Sequence, residues 1–202
     1  MRTVEVEIYA DVVCPWCWIG ERRLFQALSA VDGVSVRWRA FQLDPSAPST
    51  GTPLVEWLGR RYGGEVNARR MFDNVTRVAR GEDLTLNFDK AIAANTFDAH
   101  RLIWRAYGLG IQREMVEALH KAHFTDGLDI GSRDVLSAIA LDLGVPSFLS
   151  TDQGVAEVQS DLELGRSLGV TGVPMFVFNG RYALSGAQDP ATFREALALV
   201  AP

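Results

Sequence analysis

The stretch that decides the fold is residues 9–20, which read Tyr-Ala-Asp-Val-Val-Cys-Pro-Trp-Cys-Trp-Ile-Gly. It contains both cysteines of the 202-residue chain, Cys14 and Cys17, separated by two residues. An alternating apolar pattern over Val4–Ala10 precedes it, and the apolar side chains after it recur at helical spacing. The two cysteines are therefore predicted to lie where a strand ends and a helix begins.

The position of Cys14 at the start of this helix favours redox chemistry. The unpaired amides of a first helical turn, together with the helix dipole, stabilise negative charge. The thiolate is the form of cysteine that attacks disulfides. Pro15 suits the first helical position, where no amide donor is required. Because Cys17 lies about one turn further on, within reach of Cys14, we interpret the pair as a redox dithiol.

Two other interpretations of the cysteine pair are open, namely ordinary core cysteines or half of a zinc site. A structural zinc ion needs about four ligands. The three histidines, His100, His120 and His123, are far from the pair in sequence. His120 and His123 are spaced for one helical face, but the sequence offers no third ligand beside them. No metal site is predicted.

The composition is typical of a globular protein with a buried core, since 48% of the residues are hydrophobic and 22% are charged. The formal net charge of −5 argues against nucleic-acid binding, which depends on basic surface. No stretch approaches the apolar length of a membrane span, and no apolar signal segment follows Met1. We therefore expect a cytoplasmic protein that binds neither nucleic acid nor membrane. In the reducing cytoplasm, two cysteines are more often catalytic than structural. A homodimer is an open option.

The predicted elements follow the order β-α-β, then a helical block, then α-β-β-α. Strand patterns cover Val4–Ala10 and Val34–Phe41, and the single helix between them predicts parallel neighbours. Towards the C-terminus an apolar run ends at Asn179-Gly180, a dipeptide that favours a hairpin turn. Asp189 is a suitable cap for the last helix.

The helical block begins after a loop rich in proline and glycine, and strand patterns almost disappear within it. Its longest helical pattern covers Lys90–Tyr107, although Asn95-Thr96 is an alternative start for a second helix, because both residues cap helices well. We predict a discontinuous domain formed by residues 1–53 and 144–202, with a helical domain of residues 54–143 inserted into it.

Two motifs carry a resemblance to a known family. They are Cys14-Pro15-Trp16-Cys17 and Gly172-Val173-Pro174-Met175-Phe176. With these motifs and this order of elements, the chain resembles the DsbA family of thiol–disulfide oxidoreductases and, more narrowly, its FrnE-like branch. Residues 95–102, 124–130 and 182–188 support the narrower resemblance. The implied fold is α/β, a thioredoxin fold interrupted by a large all-helical insertion.

The resemblance also implies how the site works. Cys14 attacks a substrate disulfide to form a mixed disulfide, which Cys17 then resolves. The Val173–Pro174 bond is cis and faces the dithiol, leaving the Val173 backbone free to pair with a bound peptide or glutathione. From the residues alone, Pro174 fits equally well as the ordinary first residue of a strand.

The expected substrate-binding residues are therefore Pro15, Trp16, Val173 and Pro174. The expected partners are protein or small-molecule thiols and disulfides. No cofactor and no metal is required, and glutathione is a candidate thiol substrate. Residues 41–43 are a further candidate contact for such a ligand.

Several neighbours of the dithiol have alternative interpretations. The strongly oxidising relatives have histidine at the position of Trp16, which carries no charge, so we expect a less oxidising couple than that of DsbA. Trp16 is either an apolar platform for substrates or a core residue, whereas Trp18 is expected to pack inward. Asp11 either influences the Cys14 proton or caps the turn. His100 is either an acid–base group or, as we favour, a satisfied structural histidine.

Two other functions stay open. The 2-hydroxychromene-2-carboxylate isomerases and kappa-class glutathione transferases share this architecture, but their active turn typically begins with serine and lacks the second thiol. The presence of both Cys14 and Cys17 therefore favours dithiol chemistry. The second alternative is a non-catalytic, chaperone-like binding module, in which the helical block supplies an apolar surface and the cysteines are dispensable.

Overall fold

A mixed sheet organises the chain in a computed structural model that describes residues 3–29 and 31–200. Within these residues the strands are β1 (Val4–Ala10), β2 (Val34–Ala40), β3 (Met175–Phe178) and β4 (Tyr182–Ser185). Their order in the sheet is β2-β1-β3-β4. β1 pairs in parallel with β2 and antiparallel with β3, and β3 and β4 form the hairpin expected from Asn179-Gly180. The predicted parallel neighbours are confirmed, as is the α/β thioredoxin fold.

The helices follow the predicted order, with a helical block between β2 and β3. Their bounds are α1 (Pro15–Leu28), α2 (Leu54–Arg61), α3 (Glu65–Arg80), α4 (Phe97–Gly108), α5 (Gln112–His120), a π-helical segment (Lys121–Asp126), α6 (Arg133–Asp142), α7 (Val155–Ser167) and α8 (Pro190–Val200). None of the described helices is long and apolar enough to cross a membrane. The division into an inserted helical domain and a discontinuous second domain stays a prediction.

The alternation of side chains along the sheet decides which helices cover each face. Phe176 of β3 packs against Phe193 of α8 and lies close to Gly20 of α1, so this face of the sheet carries α1 and α8. Tyr9 of β1 points the other way and lies against Gly165 of α7. Since successive side chains of a strand point to opposite faces, the sheet is covered on both sides.

Helix α1 takes part in both apolar cores. The larger core contains Cys17 and Leu24 together with buried side chains of the sheet, α4, α5 and α8. The smaller core contains Trp18 and Ile19 of α1 with buried side chains of α2, α3 and Phe124. The beginning of α1 therefore lies at the junction of the two cores.

One predicted helix is wrong in its extent. The pattern over Lys90–Tyr107 predicts one helix, but α4 begins only at Phe97. Ile92 forms an isolated bridge with Pro53, and the backbone on either side of Ile92 bonds to Thr52 and Leu54. These contacts with a distant segment hold the backbone out of the helical conformation. The alternative start at Asn95-Thr96 is the correct one, with Thr96 as the N-cap residue.

Candidate active site

The two cysteines lie at the strand–helix junction predicted for them. Cys14 is the N-cap residue of α1 with an extended backbone, and Pro15 is the first residue of the helix. The Cys14 amide donates to the Asp11 carbonyl oxygen at 3.0 Å, and the Cys17 amide donates to the Cys14 carbonyl oxygen at 3.1 Å. This turn therefore holds Cys14 at the positive end of the α1 dipole.

The two thiols are free but differ in their surroundings. Cys14 is 4% exposed and lines a cavity, whereas Cys17 is fully buried. Burial raises the pKa of the Cys17 thiol well above its ordinary value, and a hydrogen bond with Cys14 raises the pKa further. The geometry thus presents Cys14 to a ligand and keeps Cys17 behind it.

The second motif forms the wall opposite Cys14. The Val173–Pro174 peptide bond is cis, as the resemblance implies. The Cys14 sulfur lies 3.7 Å from the Val173 carbonyl oxygen. A side chain on Gly20 would meet Pro174 at 3.2 Å and Phe176 at 3.0 Å, so the absence of one lets α1 approach this wall closely.

A cavity of about 360 Å³ adjoins Cys14. Pro15, Trp16 and Val173 line it together with Cys14, so the structure brings three of the expected substrate-binding residues together at one cavity. Pro174 is buried behind Val173. Most of the remaining lining is apolar and comes from α2, α3 and the segments that flank them: Leu43, Leu54, Trp57, Leu58, Met71, Phe72, Val75, Phe88, Ala93 and Ala94.

Polar groups within the cavity lining are largely paired with each other. Asp44 accepts hydrogen bonds from Trp57 Nε1 at 3.0 Å and from Arg61. Burial works to raise the pKa of Asp44, but hydrogen bonds from Ser46 and Trp57 outweigh it and the pKa is lowered. Because Arg61 and Asp44 neutralise each other, this cavity is suited to an apolar group rather than to a charged one.

The two tryptophans of the active turn point in different directions. Trp16 is half-buried: it lines the cavity and also packs against both apolar cores, so its role as a substrate platform stays a prediction. Trp18 packs inward, as expected, and donates from Nε1 to Glu117 at 2.8 Å. It stacks on His120 with 5.5 Å between ring centroids.

Asp11 and His100 form hydrogen bonds and close contacts that connect the active turn to residues 41–43. The Leu43 amide donates to Asp11 Oδ2 at 2.8 Å. His100 Nε2 lies 2.8 Å from the Phe41 carbonyl oxygen, to which it must donate, and 3.3 Å from Asp11 Oδ1. These bonds favour the structural interpretation of His100 and connect residues 41–43 to the active turn.

His120 and His123 are fully buried, and no group of three metal-ligating side chains occurs within residues 3–29 and 31–200. Burial and the nearby His120 lower the pKa of His123 to about 3. The sequence did not single out Glu21, which is buried beside His120. Its spacing of four residues from Cys17 was the available signal, because such residues share one helical face.

Comparison with known proteins fits this geometry. A model of the DSBA-like thioredoxin domain family matches residues 5–198. The chain belongs to this family. A solved structure of a probable DsbA oxidoreductase from Streptomyces coelicolor is 32% identical, with a TM-score of 0.89 over 98% of this chain and 89% of that one. The uncharacterized protein YwbO of Bacillus subtilis is 26% identical in a match that covers 96% of each chain.

More distant structures share the fold. The cytosolic disulfide reductase DsbM from Pseudomonas aeruginosa, solved with GSH, is 20% identical with a TM-score of 0.68 over 96% of this chain and 98% of that one. A 2-hydroxychromene-2-carboxylate isomerase is 15% identical with a TM-score of 0.70 over 96% of this chain and 95% of that one. At these identities the likeness concerns the fold alone.

Proposed function

We propose that this protein is a thiol–disulfide oxidoreductase of the FrnE-like type that works through a mixed disulfide on Cys14. The observation that carries the proposal is the position of the two thiols. Cys14 caps α1 at the end of an open cavity, 3.7 Å from the Val173 carbonyl oxygen, and Cys17 lies buried one turn behind it. A lone reactive cysteine would not need the second thiol in that place.

The reaction follows from the difference between the two thiols. The Cys14 thiolate, favoured by the start of α1, attacks one sulfur of a substrate disulfide and releases the other as a thiolate. Cys17 then loses its proton and attacks the Cys14 sulfur. The substrate leaves as its second thiolate, so the substrate disulfide is reduced and the dithiol is oxidised. The reverse sequence oxidises a substrate dithiol.

Substrate recognition is assigned to two surfaces beside Cys14. The Val173 backbone offers hydrogen-bonding groups to an extended chain, such as a peptide or glutathione, as the resemblance implies. The cavity between Trp16 and Trp57 takes an apolar group attached to the reacting sulfur. Pro15 lines the cavity, whereas Pro174 is buried next to Val173. Protein disulfides with an apolar neighbour, and apolar small-molecule disulfides, are therefore the substrates that we expect.

A reducing role in the cytoplasm is part of the proposal. Trp16 brings no positive charge to the Cys14 sulfur, so the thiolate is less stabilised than it would be beside a histidine cation. Such a couple suits the reduction or isomerisation of disulfides. DsbM, which shares the fold, is described as a cytosolic disulfide reductase. We propose glutathione or another thiol as the donor that regenerates the dithiol, without a bound cofactor or metal.

A second candidate function is a glutathione-dependent isomerisation or conjugation. The observation that favours it is the apolar cavity beside Cys14, which has room for an apolar small molecule, together with the shared fold of the isomerase. Chemistry of this kind does not use Cys17. It is distinguished from dithiol exchange by whether activity survives the loss of that thiol.

Insulin reduction by dithiothreitol tests the proposal with two matched serine variants. Cys14→Ser is expected to lower the rate to that of dithiothreitol alone. Cys17→Ser is expected to accumulate a mixed disulfide on Cys14 that mass spectrometry detects. If both variants reduce insulin as fast as the parent, the proposal is wrong. Full glutathione-dependent isomerisation by Cys17→Ser would favour the second candidate, and chaperone activity indifferent to both changes would favour a binding module.

A further inference from the structure

A buried carboxyl–imidazole pair lies on the side of α1 that faces away from the cavity. Glu21, in α1, is 5% exposed, and His120, at the end of α5, is fully buried. Glu21 Oε2 lies 3.6 Å from His120 Nε2. Neither side chain takes part in the substrate contacts described above, so the pair needs another explanation.

The protonation of the His120 ring is fixed at one nitrogen. His120 Nδ1 lies 3.1 Å from the Val12 carbonyl oxygen. Because a carbonyl only accepts, Nδ1 must carry a hydrogen. The neutral ring therefore presents an unprotonated Nε2 towards Glu21. Val12 lies two residues before Cys14, so this bond also ties the imidazole to the active turn.

The two facing atoms are both acceptors until a proton is added. Within the described part of the chain, His120 Nε2 has no hydrogen-bond partner, and neither has Glu21 Oε1, the carboxyl oxygen that does not face the ring. Buried polar atoms are normally paired. A proton placed between Glu21 Oε2 and His120 Nε2 would give Nε2 its missing partner, so the pair has room to receive one.

Glu21 is also a neighbour of the resolving thiol. It follows Cys17 by four residues in α1, and side chains at this spacing lie on the same face of a helix. Both side chains are buried. We propose that Glu21, supported by His120, accepts the proton of Cys17 when Cys17 attacks the mixed disulfide. This inference rests on the proposed oxidoreductase function.

The proton balance of the resolving step is then complete. The Cys17 S–H bond breaks and its proton moves to the Glu21–His120 pair. The Cys17 thiolate attacks the Cys14 sulfur, the Cys14–substrate bond breaks, and the substrate leaves as a thiolate that takes a proton from solvent. The two cysteines are oxidised to a disulfide, and the substrate sulfur is reduced.

A small cleft gives the pair a route to solvent. Its volume is about 20 Å³, and Glu21 lines it together with Arg22, Arg113 and Glu117. This volume is enough for about one water molecule. The side chains of Arg22 and Glu117 are 36% and 49% exposed. A proton taken up by Glu21 can therefore leave on the side of α1 opposite to the substrate.

Other charged or titratable groups surround the pair. On the inner side, a cavity of about 10 Å³ is lined by Glu21, His120, His100 and Arg39. Arg39 is paired with Glu7 and Asp161, and His100 lies beside Asp11. Burial lowers the pKa of His123 to about 3, so it is neutral near pH 7.

Arg22, Arg113 and Glu117 face Glu21 from the outer side. Glu21 thus remains the carboxylate that shares a helical face with Cys17.

The two steps of the dithiol reaction can be timed separately with dithiobis(nitrobenzoate), whose halves leave as coloured thiolates. The first release reports the attack of Cys14, and the second reports the attack of Cys17. Glu21→Gln is expected to slow the second release by about tenfold or more near pH 7 and to leave the first within about twofold. His120→Gln should slow the second release less, and Glu21→Asp should restore part of the rate.

A matched control separates proton transfer from a change in structure. Glu82, which follows α3, accepts a hydrogen bond from Arg23 of α1. Glu82→Gln therefore removes a carboxylate that contacts the same helix as Glu21, and it should leave both releases unchanged. The pH profile adds a test on the unmodified chain. With an internal acceptor, the second release should vary little between about pH 6.5 and about pH 8.5. In Glu21→Gln it should rise about tenfold per pH unit, because hydroxide then takes the proton.

Three results would overturn the inference. They are a parent chain whose second release already rises in proportion to hydroxide, a Glu21→Gln variant with the parent's second release, and equal slowing of both releases in that variant. The first of these does not depend on whether any variant folds. A parent chain that gives no first release would overturn the proposed function as well, whereas a normal parent with an unaffected Glu21→Gln overturns this inference alone.

Discussion

The two sides of the dithiol differ in polarity, burial and origin. The side towards Cys14 is an open, largely apolar cavity built by α2, α3 and the segments that flank them. The side towards Cys17 is closed and is built by α1, α4, α5 and the π-helical segment. It holds five buried titratable side chains: Asp11, Glu21, His100, His120 and His123.

This difference separates two tasks within one site. Substrate selection belongs to the cavity, most of whose apolar lining comes from α2, α3 and the segments that flank them rather than from the active turn. Proton handling belongs to the closed side, where Glu21 of α1 lies buried beside His120. Mutations on the two sides should therefore differ in kind, with stability and proton transfer affected on one side and substrate affinity on the other.

The largest expected effect is a difference in stability between alanine variants of two tryptophans, one on each side of the dithiol. Trp18 on the closed side is 4% exposed and stacks on His120 and Phe124. Trp18→Ala should lower the free energy of unfolding by about 3–5 kcal/mol. Trp57→Ala on the cavity side, where the ring is half-buried, should lower it by less than about 2 kcal/mol and should raise the KM for apolar disulfides. Denaturant unfolding of both variants checks this, and equal losses would remove the contrast between the sides.

The next effect is a pH dependence of stability that arises from His123. Its pKa is about 3 in the folded protein and about 6.5 in the unfolded chain. The unfolded chain therefore binds an extra proton below about pH 6.5, and stability falls by about 1.4 kcal/mol per pH unit until the folded pKa is reached. Above about pH 6.5 both states are neutral and the penalty is absent.

His123→Phe should remove this dependence. The phenyl ring has a similar shape, and the imidazole already packs edge-on against Phe124. Between about pH 7 and about pH 4.5, the variant should gain about 2.5 kcal/mol of unfolding free energy relative to the parent chain. Urea unfolding at the two pH values measures the difference. If the difference in unfolding free energy between the two proteins is the same at both pH values, then His123 is protonated as readily in the folded protein as in the unfolded chain.

A smaller effect concerns the reactivity of the two thiols. Cys14 faces the cavity, whereas Cys17 is fully buried and its pKa is raised. Iodoacetamide should therefore modify Cys14 of the reduced native protein at least about tenfold faster than Cys17. Peptide mapping by mass spectrometry gives both rates. In denaturant the two rates should become similar, and similar rates in the native protein would contradict the assigned order of the thiols.

Local patterns in the sequence predicted much of the frame of the site. The strand–helix junction at Cys14, the parallel pair of β1 and β2 and the hairpin at Asn179-Gly180 depend on neighbouring residues, and the structure has them all. The cis Val173–Pro174 bond required the family resemblance, because the residues alone fitted an ordinary strand start equally well.

The rest depends on contacts between distant segments. The helical pattern that begins at Lys90 is overridden by the bridge between Ile92 and Pro53. Glu21 follows the cysteines in a helix, where a lone carboxylate is usually expected on the surface. Its burial results from the packing of α5 against α1, which periodicity does not show. The assignments of Cys14, Cys17 and the substrate-binding residues remain predictions that activity measurements must test.

A redox-buffer titration of the dithiol tests the central claim most directly. The protein is equilibrated with glutathione mixtures of graded potential, free thiols are trapped by alkylation, and the masses of the products are measured. We predict one two-electron transition that joins Cys14 to Cys17, at a potential clearly more negative than the value of about −120 mV known for DsbA. The transition should be lost in Cys17→Ser. A chain whose two thiols never join, or a midpoint near that of DsbA, would contradict the account.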